Sequence, residues 1–255
     1  SSYMQQLCLH ISEDALCIIR FERYLNYMDG IYGFEHRIRI VTGHYGSGKT
    51  EFSLNLAVRL KKQYDNVAIA DLDVINLYFR SREKEDELKK LGIRIFSSSV
   101  KATAVDIPAV SADIMTPIED NNCQLIMDVG GNPAGTRTLG RYRNFLKNIG
   151  FQHLFILNAN RPETNTCEKA VDFINGIRAQ SGLDITGIVN TTHMLKATTV
   201  DDLLKGQQLC REVSKTLDLP ILYTAAMEEV AKQLPENMDG EIIPLKLFMR
   251  EGWMM

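Results

Sequence analysis

The densest chemistry in the chain lies in "GHYGSGKTEFSLNLA", residues 43 to 57. Gly43, Gly48, Lys49 and Thr50 satisfy the spacing G-x-x-x-x-G-K-[ST], and His44, Tyr45, Gly46 and Ser47 fill the loop between the two glycines. In such a loop the glycines let backbone N–H groups converge on phosphate oxygens, and the succeeding helix adds the partial positive charge of its N-terminus. Lys49 would bridge β- and γ-phosphate oxygens, the Thr50 hydroxyl would ligate Mg²⁺, and Glu51 closes the candidate cradle.

A magnesium site also needs an acid that holds coordinated water. "QLIMDVGG" supplies one: four largely apolar residues, then Asp128, with Gly131 three positions on. Gly131 would let a backbone N–H approach the γ-phosphate, so "GGNPAGTRTLG" reads as a loop able to sense that phosphate. A strand-end aspartate also serves as a cap or turn residue, and the phosphate loop upstream favours the metal reading. Asp71 and Asp73 in "VAIADLDVINLYFRSRE" are two apart, so in extended geometry their side chains lean the same way. Asp73 is the candidate to orient the attacking water, and Asp71 and Asp73 are both candidates to support the magnesium shell; beginning the next turn is the alternative for both.

Base choice is argued from what is missing. Guanine presents adjacent N–H donors that a carboxylate in an N-K-x-D sequence would meet, and "IVNTTH" has His193 in that place. Asn190 can hydrogen-bond adenine by both donating and accepting, or it can simply be a turn residue. ATP is therefore expected over GTP.

These residues need a scaffold that collects strand ends. Seven short apolar runs read as buried strands: "RIRIVTG", "NVAIADLD", "IRIFSSS", "QLIMDVGG", "HLFILNAN", "ITGIVNTTH" and "PILYTAA". Amphipathic patterns alternate with them, such as Ala170, Phe173, Ile174 and Ile177, or Leu209, Val213 and Leu217. After the phosphate loop, Phe52, Leu56, Ala57 and Leu60 give one helical face to bury, while Glu51, Asn55 and Arg59 are expected to stay wet. The expected architecture is a three-layer α/β/α domain with a mostly parallel sheet of seven or eight strands, covered on both faces. Ligands in such sheets gather at strand carboxyl ends, where Lys49, Asp73, Asp128, Asn160 and Asn190 all fall.

Composition narrows the function classes. With 255 residues, 45% of them hydrophobic, one α/β domain of ordinary size can form a full core. Net charge is −3 and no basic stripe is present, so nucleic acid is not the expected partner. Five cysteines without a C-x-x-C pair suggest reduced thiols and a cytoplasmic location; no apolar run approaches the roughly 20 residues of a membrane span. Residues 1–36 precede the first strand and read as an N-terminal extension, helical or partly mobile, before a nucleotide-binding domain at 37–255; Met28 is a possible natural start. In the tail "IIPLKLFMREGWMM", Leu245, Phe248, Trp253 and Met254 could form an apolar face around Lys246 and Arg250, but docking onto the protein's own sheet is expected over membrane contact.

With these pieces in order, the chain resembles the MinD/ParA-like branch of SIMIBI-class P-loop ATPases, over roughly residues 37 to 230. The resemblance rests on the phosphate loop, "DLDVIN" as switch I, "DVGGNPAG" as switch II, and Asn190 as the adenine contact. It implies an Mg-ATP-dependent switch, cycling between ATP and ADP, that often forms a homodimer and serves a protein or metallocentre client. It also exposes a departure: the family loop K-G-G-x-G-K-[ST] carries a lysine where this chain has His44, a shorter residue that is mostly neutral near pH 7. Arg80, Arg82 and Arg137 are the cations whose positions in sequence could compensate; each is also an ordinary surface charge. No cysteine pair of the kind that holds an intersubunit cluster is present. A small-molecule kinase or ligase, with "SSSVKATAVD" shaping an acceptor pocket, and a nucleotide-dependent scaffold with negligible turnover are the competing functions.

Overall fold

The computed structural model describes residues 36–72, 85–97 and 112–248. Asp73, Arg80, Arg82, nearly all of the expected N-terminal extension, the acceptor segment after Ser97, and Trp253 and Met254 lie outside the described residues.

The apolar runs form strands where the sequence placed them: β1 (Ile38–Gly43), β2 (Val67–Asp71), β3 (Ile93–Ser97), β4 (Gln124–Asp128), β5 (Gln152–Leu157), β6 (Gly187–Asn190) and β7 (Ile221–Met227). An eighth, β8 (Glu241–Leu245), adds itself beside β7. All pairings are parallel, in the order β3-β2-β4-β1-β5-β6-β7-β8. Pro244 is tolerated in β8 because this is an edge strand, where a missing N–H interrupts no inner ladder.

The helices are α1 (Lys49–Lys61), α2 (Glu85–Lys90), α3 (Ala112–Glu119), α4 (Pro133–Gly140), α5 (Arg143–Ile149), α6 (Cys167–Ser181), α7 (Val200–Leu217) and α8 (Glu228–Ala231). Strand alternation sorts them onto faces. Ile38, Ile40, Leu125 and Met127 pack with Ile114, Leu139 and Leu146, and Phe155, Leu157 and Ile188 continue the same face against Ala170, Ile174, Cys210 and Val213. The opposite face meets α1, where Phe52 packs on Tyr223 with ring centroids 5.8 Å apart. The result is the expected three-layer α/β/α arrangement.

Helix α1 departs from expectation on its polar side. Asn55 is buried: its Nδ2 donates to the Lys246 carbonyl and its Oδ1 accepts from the Lys246 N–H, each at 2.8 Å. Glu51 accepts from the Phe248 N–H at 2.9 Å, and Arg59 pairs with Glu241. The side expected to face water is instead covered by β8 and the three residues after it. The described part of the C-terminal tail is thus docked on the domain through this strand and α1.

The chain leaves β1 toward β2 and β3, returns through β4 beside β1, and continues on β1's other side with β5. That reversal opens a crevice at the carboxyl end of β1, where the phosphate loop begins.

Candidate functional site

The loop leaves β1 at Gly43 and enters α1 through Gly48, whose φ of +94° is a left-handed conformation that costs glycine little. Lys49, only 7% exposed, reaches back so that its Nζ donates to the His44 carbonyl at 3.1 Å. Two further groups hold the loop from outside. The Thr191 hydroxyl, just past β6, donates to the Ser47 carbonyl at 2.6 Å, and Arg161 Nε, past β5, donates to the Gly46 carbonyl at 2.9 Å.

Asp128 and Asp71 end neighbouring strands and are register partners, 4% and 5% exposed. From Asp128 the chain runs through Val129, whose N–H donates to the Val41 carbonyl at 3.0 Å, to Gly131. A Cβ on Gly131 would stand 2.2 Å from the Gly43 carbonyl oxygen and 2.9 Å from the Tyr45 nitrogen, so only glycine permits this contact between the two loops. Most of "GGNPAGTRTLG", expected to be a loop, is a helix: Asn132 caps α4 by accepting from the Gly135 N–H at 2.9 Å, and Pro133 takes the first position. Arg137 is exposed on that helix.

Thr50, Asp71 and Asp128 present hard oxygen donors at adjacent strand and helix ends, a set that suits Mg²⁺. Among the described residues no group of three His, Cys, Asp or Glu could hold a metal unaided.

A cleft of about 1030 Å³ opens beside the loop, bounded by Tyr45 to Glu51 without Ser47, by Thr191 to His193 with Leu195, Lys196 and Thr198, and by Ala225 to Val230. Its volume suits a nucleotide. His44 is not in its lining; its ring stands edge-on to Phe173 at 5.5 Å, with Nδ1 3.6 Å from Glu163 and 2.9 Å from the Tyr45 carbonyl.

Asn190 ends β6 as expected, but it is fully buried. Its Nδ2 donates to the Leu203 carbonyl at 2.9 Å, fastening β6 to α7, and its Oδ1 accepts from the Thr192 N–H at 3.1 Å, fixing the turn after the strand, so both halves of the amide are engaged. Asn160 is likewise engaged, donating to Asp202 and accepting from Lys205, each at 2.8 Å. Arg161 and Thr191 belong to no recognisable motif; each directly follows a candidate residue at a strand end, Asn160 and Asn190.

Under the loop, His153 is fully buried between Thr42 Oγ1 at 3.0 Å and the Asp184 carbonyl at 3.1 Å. A carbonyl only accepts, so Nδ1 carries the hydrogen and Nε2 accepts from the threonine hydroxyl. Burial pulls its pKa down to about 3, keeping the ring neutral. Arg39, on the opposite face of β1, donates to Gln124 Oε1 at 2.8 Å and is brought down to about 10, again by burial.

No family model matches this sequence, and no curated protein does. Solved structures do. The cell division protein FtsY of Thermotoga maritima superposes with a TM-score of 0.53 at 19% identity, over 74% of this chain and 61% of that one. The fold is that of a P-loop NTPase. FtsY of Mycoplasma mycoides gives 0.51 at 18% identity, over 72% of this chain and 58% of that one, and chloroplast FtsY of Physcomitrella patens gives 0.50 at 18%, over 73% and 57%. The chain thus spans about three-fifths of the length of these neighbours. At such identities the likeness extends to the fold alone. The MinD/ParA-like branch suggested by the motifs is not established by it. Among the described residues no helix is long and apolar enough to cross a membrane.

Proposed function

We propose that this chain binds and hydrolyses a magnesium nucleoside triphosphate and uses the cycle as a switch for a protein or metallocentre client. The observation that carries the reading is the contact of Gly131 with the phosphate loop. A loop that leaves Asp128 and touches Gly43 and Tyr45 is placed to respond to whatever the loop holds.

The division of labour follows from position. The Gly43–Thr50 backbone and the α1 N-terminus would cradle phosphates, with Lys49 transferring its hydrogen bond from the His44 carbonyl to them. Thr50, Asp71 and Asp128 would hold Mg²⁺, which neutralises charge that builds on the phosphates. Asp73 is proposed to orient the attacking water, and Arg80 or Arg82 to act as an arginine finger.

Adenine is the proposed base because His193, which lines the cleft, takes the sequence position at which an N-K-x-D motif would carry its guanine-reading acid. Asn190 gives this choice no support, since its amide is enclosed. Guanine is a second reading, favoured by Glu228 and Glu229 in the same wall. A homodimer across the loop is in keeping with Tyr45, 61% exposed at the cleft rim. Kinase or ligase chemistry would use the same phosphate site, and a scaffold would bind without turnover.

Phosphate release from Mg-ATP and Mg-GTP, with the protein alone and with candidate acceptors, tests the proposal. A switch shows slow, specific release. Transfer of phosphate to an acceptor would replace the switch with a kinase, and absence of binding to either nucleotide would end both readings.

A further inference from the structure

We propose that Arg161 is a ligand of the nucleotide's phosphate chain, supplied within the same chain and standing in for the cation absent at position 44. The inference rests on the nucleotide-binding reading and names a residue that reading does not contain.

Arg161 is held before any ligand arrives. Asn158, fully buried just past the end of β5, accepts at its carbonyl from the Arg161 N–H at 3.1 Å and from the Thr164 hydroxyl at 3.0 Å. Its side-chain Oδ1 accepts from the Asn160 N–H at 2.9 Å, and the Thr164 N–H donates to the Arg161 carbonyl at 3.0 Å. Residues 158–164 therefore form a fixed turn, and Pro162 adds its own restriction to the backbone at 161. The guanidinium lines the cleft, half-buried.

Its geometry divides its donors. Nε is committed to the Gly46 carbonyl at 2.9 Å, while Nη1 and Nη2 make no hydrogen bond to a described residue. A Cβ on Gly46 would stand 3.0 Å from both Cζ and Nη2, so the guanidinium occupies the space that a side chain at 46 would need. The loop is thus braced by two cations at two carbonyls, Lys49 at His44 and Arg161 at Gly46. The planar fork of arginine suits this double task, one edge on the protein and the other toward an anion. His44 does not compete for the role, since its ring is turned to Phe173 and Glu163.

The test separates charge from bracing. Arg161→Gln keeps a donor for Gly46 and removes the charge; Arg161→Lys keeps the charge. Binding of Mg-ATP and Mg-GTP, both as non-hydrolysable analogues, is measured for each beside the unaltered protein, together with thermal melting. The expected result is a tenfold to hundredfold loss of affinity in Arg161→Gln at unchanged melting temperature, on the order of one charge-assisted hydrogen bond, and affinity within a few-fold of the parent in Arg161→Lys. Parent-like affinity in Arg161→Gln, or equal losses in both variants with a lowered melting temperature, would overturn the inference and leave nucleotide binding standing. If the unaltered protein binds neither analogue, the nucleotide reading falls and this inference with it.

Discussion

Asp71 and Asp128 stand opposite one another as register partners at the carboxyl ends of β2 and β4, both almost wholly buried. Together with Thr50 at the start of α1 they bring hard oxygen donors from three element ends, the kind of donors a divalent cation bound with nucleotide would use. Magnesium with nucleotide should therefore raise the melting temperature more than nucleotide alone. Asp128→Asn should remove most of that increment and weaken Mg-dependent binding by about tenfold or more. Asp73→Asn should leave binding largely intact and slow turnover, because it would act on the water and not on the cradle. Calorimetry and phosphate release on the two variants check the assignment; identical behaviour contradicts it.

Lys49→Ala should lower triphosphate affinity by roughly a hundredfold, since it deletes a charge held inside the loop. The fold should survive, because the hydrogen bond to the His44 carbonyl is only one of several that shape the loop. Isothermal titration together with circular dichroism distinguishes lost binding from lost structure.

Base preference and the β6–α7 junction should separate on mutation. Competition titration is expected to favour ATP over GTP, and Asn190→Ala should leave that ratio unchanged while lowering stability by about 1–3 kcal/mol through unsatisfied partners at Leu203 and Thr192. A changed ratio in Asn190→Ala would return the residue to the base site.

His153 gives the fold an acid-sensitive point. Its folded pKa, near 3, lies below the ordinary 6.5, so the unfolded chain binds a proton that the folded one does not. The contribution is fully present above about pH 6.5 and is lost as pH falls toward 3, at about 1.4 kcal/mol per pH unit inside that window. Urea melts from pH 7 to pH 5 should show this slope in the parent. In His153→Gln the slope should flatten, with some overall loss of stability from the altered contacts to Thr42 and Asp184.

The parts of this structure legible in sequence are those that depend on neighbours a few residues away. Near-continuous apolar runs marked seven strands, and the phosphate loop is defined by its own spacing. Strand β8 escaped because "EIIPL" is short and carries a proline, which argues against a strand unless its place at the sheet edge is known. The cover over Asn55 is not legible either: helix periodicity shows a polar side but cannot show that Lys246, 191 residues later and just past β8, will bond to it. Asn190 had the right place and residue type for a base contact, yet only the packing of α7 reveals that its amide is enclosed. Arg161 looked like any surface arginine until the turn at Asn158 brought it over Gly46.

The clasp between Asn55 and Lys246 also ties helix α1 to the last described residues. During synthesis the phosphate loop and its helix emerge long before β8, so Asn55 has no partner at Lys246 until nearly all of the described chain exists. A contact of such sequence separation rewards folding only after a long stretch of chain has been closed, so each such contact adds to the entropy the fold must overcome.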